Sequence, residues 1–398
     1  MTRYRRRYRR SKVKEFEASF IREILKVASQ PEVISFAGGL PKPSLFPVAE
    51  LRECFDSTLS ERGEEALQYN RTEGYEPLRE WIAERTSKTT GSSVSPEQVL
   101  ITTGSQQGLD LIGKLLLLGG GTVAMEEPGY LGAKLVFSMY DATIRPLSLT
   151  DAGLDTSQIE ALSGAASPGL VYGMPRFQNP TGHSFTPRGA KEVAKVIEKG
   201  HAYFVEDDPY GELFFRERGE RVSVFGQLPS RAFYLGSFSK TVAPSFRIGY
   251  VVGPEDAIVQ LTRAKQASDL HSSQLLQIVL HEYLTRGTFE NHLETIRARY
   301  AKQKETMRRS LQELLGDRAT IHDTDGGMFL WMELPKSISA DALFDRAIAK
   351  KVAFVPGRHF FQKGGHNGLR LNFSNVDEET IIRGTERLAE AVKEELGG

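Results

Sequence analysis

Cysteine is nearly absent from this chain: among its 398 residues only Cys54 is a cysteine, so no internal disulfide can form. A single cysteine fits a reducing compartment, and without a His-rich segment beside it we expect Cys54 to be a small core residue. Long apolar runs are also absent, since none reaches the roughly 18 residues that a membrane helix needs. We therefore expect a cytoplasmic protein that has no membrane partner.

An excess of either charge is missing too, because 51 Lys and Arg residues balance 51 Asp and Glu residues. This balance gives no reason to expect nucleic acid as a partner. The arginines between Arg3 and Arg10 are an exception, but the apolar core of a secretory signal does not follow them. We expect residues 1–14 to form a disordered, solvated tail.

Short apolar runs alternate with amphipathic stretches through the middle of the chain, a pattern typical of α/β proteins. These strand candidates cover residues 99–102, 123–125, 143–147, 170–174, 202–205, 232–235 and 248–252. They predict a mostly parallel sheet covered by helices, with ligands bound at the carboxyl ends of its strands. A helical pattern follows at 288–315, and strand-like alternation returns at 328–334 and 369–373.

A chain of this length is expected to divide into one large and one smaller domain. We predict a large domain over residues 49–286. The segment 15–48 would join the small domain, and residues 287–398 would form a linking helix and that small C-terminal domain.

Lys240 lies on a loop between two apolar, strand-like runs, and Arg247 opens the second of them. Most lysines that follow strands are solvated and idle. This position also suits an amine that is held still, desolvated and partly deprotonated, as formation of a Schiff base with a carbonyl requires. The rest of the chain decides between the two interpretations.

A strand that ends at Gly104 is followed at once by a helical pattern containing Ser105 and Gln106. Free backbone N–H groups and the helix dipole would make this point attractive to a phosphate. An ordinary N-cap, in which Ser105 satisfies the helix start, explains the same residues. Asn179 likewise either points into a cleft as a hydrogen-bond donor or belongs to a common Asn-Pro turn.

Charged residues follow or interrupt two other apolar runs. Asp207 and Asp208 come after a very apolar strand, where an acid could pair with a cationic ring nitrogen, although an acidic helix cap is the alternative. Arg370 lies within a strand-like pattern and is costly to bury unpaired. It should bind a carboxylate bidentately or take part in a structural ion pair.

Taken in order, these segments resemble the fold-type-I aminotransferases of class I/II, which depend on pyridoxal phosphate. The most similar branch contains the 2-aminoadipate and kynurenine aminotransferases. The resemblance extends from about Phe20 to the C-terminus. The motifs that carry it are Ala37-Gly38-Gly39-Leu40-Pro41, Gln68-Tyr69-Asn70, Gly74-Tyr75, Gly104-Ser105-Gln106, Gln178-Asn179-Pro180-Thr181-Gly182, Asp207-Asp208-Pro209-Tyr210, Ser237-Phe238-Ser239-Lys240, Arg247 and Arg370.

The resemblance implies an α/β protein of the PLP-transferase fold type I. Its large domain would contain a mostly parallel seven-stranded sheet, and its smaller domain would be α+β. Pyridoxal 5′-phosphate would be the cofactor, and no metal is expected. The activity would be transfer of an amino group between an L-amino acid and a 2-oxo acid by a ping-pong mechanism.

The same resemblance implies catalytic roles. Lys240 would hold the cofactor as a Schiff base and then move the Cα proton. Asp207 would keep the pyridine nitrogen protonated, which leaves Asp208 a structural role. Tyr210 and Asn179 would donate hydrogen bonds to the phenolic oxygen of the cofactor.

It also implies binding roles. Tyr130 would stack on the cofactor ring. Arg370 would bind the substrate α-carboxylate, aided by Asn179 and the backbone at Gly39. Arg22 would meet a side-chain carboxylate, unless it is an ordinary charge on a helix surface. The phosphate would be bound by Ser105, Gln106, Ser237, Ser239 and Arg247, with Tyr69 reaching across from the second subunit of a homodimer.

Two alternatives compete with this function. The branch also resembles regulators that carry a DNA-binding winged helix, but only about twenty residues precede the matched region. The second alternative is elimination, replacement, decarboxylation or oxidation on an amino acid, including S-adenosylmethionine, because one fold supports many reactions. We favour transamination.

Overall fold

The computed structural model describes residues 30–162, 167–216 and 222–397. The predictions for the basic tail, residues 1–14, and for Arg22 therefore lie outside the described residues. Within the described part of the chain, no helix combines the length and the apolarity needed to cross a membrane.

Strands and helices alternate along most of the described chain. The strands are β1 (Ile34–Ser35), β2 (Val99–Thr102), β3 (Gly121–Glu127), β4 (Ala142–Thr150), β5 (Gly153–Leu154), β6 (Leu170–Gly173), β7 (Tyr203–Asp207), β8 (Ala232–Ser237), β9 (Gly249–Val252), β10 (Thr320–His322), β11 (Phe329–Glu333), β12 (Val352–Ala353), β13 (Val355–Pro356) and β14 (Gly368–Asn372). The α-helices are α1 (Val48–Ala66), α2 (Glu76–Thr90), α3 (Ser105–Leu117), α4 (Leu131–Met139), α5 (Thr156–Ala161), α6 (Pro187–Lys199), α7 (Glu255–Asp269), α8 (Gln274–Thr285), α9 (Phe289–Leu315), α10 (Ala340–Ala349) and α11 (Glu378–Glu395).

The large sheet has the strand order β2-β9-β8-β7-β6-β3-β4-β5. The strands from β8 through β7, β6 and β3 to β4 pair in parallel, whereas β9 is antiparallel to both of its neighbours. Its central strands are buried along most of their length, as expected of a sheet covered on both faces. The predicted α/β fold is confirmed. The sheet has eight strands and not the seven expected. The eighth, β5, was not predicted because a two-residue strand is too short to give a periodic signal.

A smaller antiparallel sheet follows α9, in the order β10-β11-β14-β13. Arg370 on β14 is aligned with Trp331 on β11 and with Val355 on β13. The short strand β1 pairs in parallel with β12, which brings the segment after β1 alongside this smaller sheet. The domain boundaries at residues 48 and 286 stay a prediction.

Cys54 lies on α1 and is fully buried in the core, as expected of a small core residue. Burial raises the pKa of its thiol to about 11. The thiol therefore stays protonated near neutral pH and is a poor nucleophile.

The carboxyl ends of the parallel strands position the polar side chains. Asp207 is the last residue of β7, Ser237 is the last residue of β8, and Gly104 follows β2 immediately before α3. Because these strands lie in one sheet, their ends meet along one edge. Residues from all three of these strand ends line the same cavity, together with Arg370 from the smaller sheet.

Candidate active site

A cavity of about 410 Å³ lies at this edge of the large sheet. It brings together residues that are far apart in the chain. The residues singled out from the sequence that line it are Gly39, Ser105, Gln106, Tyr130, Asn179, Asp207, Tyr210, Ser237, Ser239, Lys240, Arg247 and Arg370. Tyr69 is not among them.

Lys240 is half-buried in the turn after β8, and its Nζ donates to the carbonyl oxygen of Gly39 at 2.8 Å. Among the described residues, no carboxylate forms an ion pair with it. Burial, together with the positive charges of Arg370 and Arg247, lowers the pKa of the Lys240 amine to about 8. A sizeable fraction of the amine is therefore neutral near pH 7.5, as a nucleophile or a base requires.

Asp207 has one engaged and one unengaged carboxylate oxygen. Its Oδ2 accepts a hydrogen bond from the Tyr172 hydroxyl at 2.7 Å. Its Oδ1 is buried and has no hydrogen-bond partner among the described residues. Burial raises the pKa of this carboxyl to about 7, and the charge of Asp208 adds to the rise. A cationic N–H placed in the cavity would satisfy Oδ1 and restore the ionised form.

Asp208 has a separate set of partners. It forms a buried ion pair with Arg176, and the Tyr234 hydroxyl donates to the same oxygen, Oδ2, at 2.5 Å. The alternative of an acidic helix cap is wrong for this pair of aspartates, because turns follow β7 and no helix begins there. Asp208 instead anchors the loop after β7 in the protein interior.

The start of α3 offers unpaired backbone N–H groups. Its N-cap is Gly104, which has a φ of 77° and supplies no side chain to satisfy the first turn. The alternative of a Ser105 N-cap is therefore wrong, since Ser105 is already the first helical residue. A Cβ at Gly104 would lie 2.4 Å from Nη2 of Arg247, so this guanidinium packs directly against the helix start. The dipole of α3 and the guanidinium of Arg247 together favour the binding of an anion at the start of this helix.

Two hydroxyl groups and an amide extend this anion site. The Ser237 hydroxyl donates to Oγ of Ser239 at 2.9 Å, and Arg247 donates to the same Oγ at 3.4 Å. The side-chain amide of Gln106 donates to the carbonyl oxygen of Gly132 at 3.2 Å. Hydroxyls, helix N–H groups and a guanidinium are the donors that bind a phosphate well.

Arg370 also lines the cavity and has no carboxylate partner among the described residues. Its Nη1 donates to Oδ1 of Asn179 at 2.8 Å, and its Nη2 donates to the carbonyl oxygen of Ala37 at 2.6 Å. Its guanidinium carbon lies 4.4 Å from the ring centre of Phe329, and its Nε is buried without a partner. Burial lowers the pKa of Arg370 to about 10. The structural ion pair is therefore wrong, and a bound carboxylate would supply the missing negative charge.

Two tyrosines complete the walls of the cavity. Tyr210 is buried and packs edge-on against Phe329, with ring centres 5.8 Å apart. Burial raises the pKa of the Tyr130 hydroxyl to about 12 and raises that of Tyr210 further. Both hydroxyls therefore stay protonated and can donate hydrogen bonds to a bound molecule.

Tyr69 lies apart from the cavity of its own chain. It is 77% exposed and makes an edge-to-face contact with His271, with ring centres 5.7 Å apart. A large aromatic side chain so exposed is available to a second molecule.

Tyr172 and Arg176 were missed in the sequence. Each binds one of the two neighbouring aspartates, Asp207 and Asp208. The signal for Tyr172 was a polar atom within the otherwise apolar run of β6. The signal for Arg176 was a cation shortly after the same strand.

The donor set defines the kind of molecule that fits. The amine of Lys240 suits an aldehyde, Oδ1 of Asp207 suits a protonated ring nitrogen, and the site at the start of α3 suits a phosphate. These groups are the functional groups of pyridoxal 5′-phosphate, so the residues present fit that cofactor. None of these cofactor groups is assigned to Arg370, which is therefore available to bind the carboxylate of a second molecule.

Comparison with known proteins gives one family. The family described as aminotransferase class I and II matches residues 39–388. A 2-aminoadipate transaminase of Thermus thermophilus is 42% identical over 385 residues, which cover 95% of this chain and 94% of that protein. An aromatic-amino-acid aminotransferase of Thermococcus litoralis is 36% identical over 398 residues, which cover 98% of this chain and 95% of that protein.

A solved structure of this group has the same fold. The kynurenine aminotransferase of Pyrococcus horikoshii, in complex with pyridoxamine phosphate, superposes with a TM-score of 0.92 at 37% identity, covering 98% of each chain. All these relatives are named aminotransferases. The comparisons therefore do not favour elimination, replacement, decarboxylation or oxidation.

Proposed function

The chain belongs to the class I and II aminotransferases, and from this premise we propose how its own residues carry out the reaction. It is an aminotransferase that uses pyridoxal 5′-phosphate and moves an amino group between an L-amino acid and a 2-oxo acid. When bound, the cofactor supplies a carbonyl that accepts the amino group and a ring that withdraws electrons from the substrate Cα.

Lys240 holds the cofactor covalently and moves the proton. Its amine has a pKa of about 8, so Nζ can take a proton from the substrate Cα and return it near neutral pH. Its hydrogen bond to the carbonyl oxygen of Gly39 keeps Nζ at the cavity wall before cofactor binds. An amine in this position is better suited to proton transfer than an ordinary surface lysine, whose pKa is about 10.4.

The remaining cofactor contacts follow from the donors around the cavity. Asp207 would accept the ring N–H through Oδ1, and the hydroxyl of Tyr210 and the amide of Asn179 would donate to the phenolic oxygen. Tyr130 would stack on the ring. The phosphate would be bound by Ser105, Gln106, Ser237, Ser239 and Arg247.

We assign the substrate α-carboxylate to Arg370, and the surroundings of its guanidinium are the observation that carries the proposal. A half-buried guanidinium with an unsatisfied Nε and no carboxylate partner in the described chain is costly unless a ligand completes it. Lys240 and Arg370 line the same cavity, so the amino group and the carboxylate of one α-amino acid can reach both. Asn179 and the backbone at Gly39 lie beside this position.

We further propose acidic amino donors, such as 2-aminoadipate or glutamate, as the preferred substrates. The similar Thermus protein is named for 2-aminoadipate. In the described residues, the cations that line the cavity are Lys240, Arg247 and Arg370, and each already has a role. A second carboxylate needs another cation, and Arg22 is our candidate.

We propose a homodimer in which Tyr69 reaches the phosphate in the site of the other subunit. This is supported by its exposure and by its absence from the residues that line the cavity of its own chain. We also propose a cytoplasmic location, supported by the lone buried cysteine.

Replacement of two arginines tests the substrate assignment. With Arg22→Ala, we expect kcat/KM for 2-aminoadipate and glutamate to fall about tenfold or more, the loss expected for one charged hydrogen bond. The value for leucine, which has no second carboxylate, should not change. With Arg370→Ala, kcat/KM should fall for all donors while the dissociation constant of the cofactor stays the same.

Arg188 is a suitable control, because it is highly exposed on α6 and pairs with Glu192, one turn away. Arg188→Ala should change none of these constants. An equal loss for acidic and apolar donors in Arg22→Ala would remove Arg22 from the site. An equal loss of cofactor and substrate binding in Arg370→Ala would make Arg370 a structural residue.

A further inference from the structure

The carboxylate of Asp207 is held from one side only. Its Oδ2 accepts from the Tyr172 hydroxyl at 2.7 Å, whereas Oδ1 is buried and has no partner among the described residues. A carboxylate can rotate about its Cβ–Cγ bond, and that torsion has broad preferences. The hydrogen bond to Tyr172 therefore fixes which oxygen is left for a molecule in the cavity.

The strand register explains why Tyr172 reaches this carboxylate. Tyr172 on β6 is aligned with Val205 on β7, two residues before Asp207. Alternate residues of a strand share a face, so the side chains of Tyr172 and Asp207 lie on the same face of the sheet. The Tyr172 ring is fully buried and packs edge-on against Phe137, with ring centres 5.9 Å apart.

The other buried acids nearby are already engaged. Glu126 accepts from the backbone N–H of Met174 at 3.0 Å and from the side-chain amide of Gln178 at 3.2 Å. Asp208 pairs with Arg176. These carboxylates have partners of their own, which leaves the Tyr172 hydroxyl directed to Asp207.

From this arrangement we propose that Tyr172 is the positioning residue of Asp207. Its hydroxyl holds Oδ2 and stabilises the carboxylate, so that Oδ1 faces the ring nitrogen of the cofactor and keeps that nitrogen protonated. The inference rests on the proposed role of Asp207. It adds a residue that touches neither the cofactor nor the substrate but determines the protonation of the cofactor ring.

The test replaces the hydroxyl and observes the ring nitrogen. In Tyr172→Phe loaded with 15N-labelled pyridoxal phosphate, the 15N resonance should move toward the value of neutral pyridine. Loss of a hydrogen bond to a charged group corresponds to roughly one pKa unit, so the dissociation constant of the cofactor should rise about tenfold. Site-specific 3-fluorotyrosine at position 172, whose phenol is a stronger donor, should move the resonance in the opposite direction.

Tyr140→Phe is a matched control. The Tyr140 hydroxyl also donates to an aspartate, Oδ1 of Asp110 at 2.5 Å, but neither residue lines the cavity. This variant should leave the 15N resonance and the cofactor affinity unchanged. If Tyr140→Phe moved them as much as Tyr172→Phe does, the effect would be general and the inference would be overturned.

Asp207→Asn separates failure of the inference from failure of the proposed function. If Asp207→Asn moves the 15N resonance and both Tyr172 variants leave it in place, Asp207 binds the ring and Tyr172 does not position it. If Asp207→Asn also leaves it in place, Asp207 is not the partner of the ring nitrogen, and the proposed cofactor contacts fail with the inference.

Discussion

At the scale of single residues, the site consists of ionisable groups that lack their usual partners. Lys240 and Arg370 are cations without carboxylates among the described residues, and Asp207 is a carboxylate with one unsatisfied oxygen. Each is costly on its own, because a buried charge is unfavourable until it is paired. A cofactor with an aldehyde and a ring N–H, together with a substrate that carries a carboxylate, would satisfy all three, so binding of the two molecules offsets this cost.

The lowered pKa of Lys240 predicts how cofactor binding depends on pH. The neutral amine is the reactive form, so the rate of reaction of the cofactor-free protein with pyridoxal phosphate should rise up to about pH 8 and then level off. Stopped-flow absorbance at a series of pH values would measure it. Nα-acetyllysine is the reference, and its rate should keep rising to about pH 10.4. A protein rate that followed the reference would show that Lys240 is an ordinary solvated amine.

The charged residues of the site were predictable from the sequence, whereas the residues that form hydrogen bonds or ion pairs with them were not. Lys240, Asp207 and Arg370 were candidates because each is a charge beside an apolar run, and the family resemblance decided between the interpretations of each. Tyr172 and Arg176 could not be assigned in advance, since their roles depend on the register of β6 against β7 and on side-chain directions. Tyrosine in a strand is common, so residue type alone does not mark it.

At the scale of secondary-structure elements, the phosphate site depends on how α3 begins. The N-cap of α3 is Gly104, which has a positive φ and no side chain, so the first helical N–H groups are uncapped and Arg247 can approach. Arg247 itself has a φ of 50°, so two unusual backbone conformations meet at this point. The same geometry explains why Ser105 is not the cap that its residue type suggested.

Alanine at Gly104 tests this arrangement, and Gly119 supplies the control. Both glycines have positive φ, 77° and 93°, so alanine should destabilise the protein by about 1–3 kcal/mol in each case. A Cβ at Gly104 also collides with Arg247, whereas a Cβ at Gly119 has no atom within 4 Å. Because the positive φ is common to both positions, the unfolding temperature should fall by a similar amount in both variants.

Only Gly104→Ala should weaken the binding of pyridoxal phosphate, about tenfold if one charged contact is lost. Equilibrium titration monitored by absorbance measures this affinity. Equal affinities in Gly104→Ala and Gly119→Ala would mean that the contact with Arg247 does not contribute to phosphate binding.

The seven longer strands of the large sheet were predicted because the hydrophobic pattern of buried strands is strong. The seven strand candidates and the long helix α9 were found close to their positions. The strand β5 was not found, since two residues carry no period. The turn after β7 was also ambiguous, because acidic residues serve as helix caps and as ion-pair partners equally well.

At the scale of the whole molecule, the cavity lies where two sheets approach each other. The segment after β1 contributes the carbonyl oxygens of Ala37 and Gly39 to Arg370 and Lys240. Because β1 pairs with β12, this segment connects the smaller sheet to Lys240, in the turn after β8 of the large sheet. A relative movement of the two sheets would change both contacts together.

Mixing of subunits tests the proposed dimer. If Tyr69 acts in the site of the other subunit, a mixture of inactive Lys240→Ala and Tyr69→Ala chains should regain activity after dissociation and reassociation. Half of randomly paired dimers are mixed and each has one intact site, so about a quarter of the wild-type activity is expected. If Tyr69 acts in its own subunit, the mixture stays as inactive as the separate variants.

The substrate and the quaternary structure could not be read from local patterns. Arg22 and Tyr69 take their proposed roles from long-range or intermolecular contacts, which leave no signal in the neighbouring residues. The family and the cofactor were predictable because many spaced motifs agree, and the comparisons confirm both.

The most direct test of the central claim is a single-turnover absorbance measurement on the cofactor-loaded protein with one amino acid at a time. With 2-aminoadipate or glutamate, the band of the lysine-bound cofactor should convert fully to that of pyridoxamine phosphate, and 2-oxoglutarate should restore it. Lys240→Ala should not show the starting band. Product formed from an amino acid without any pyridoxamine phosphate would contradict the account and show that the protein is not an aminotransferase.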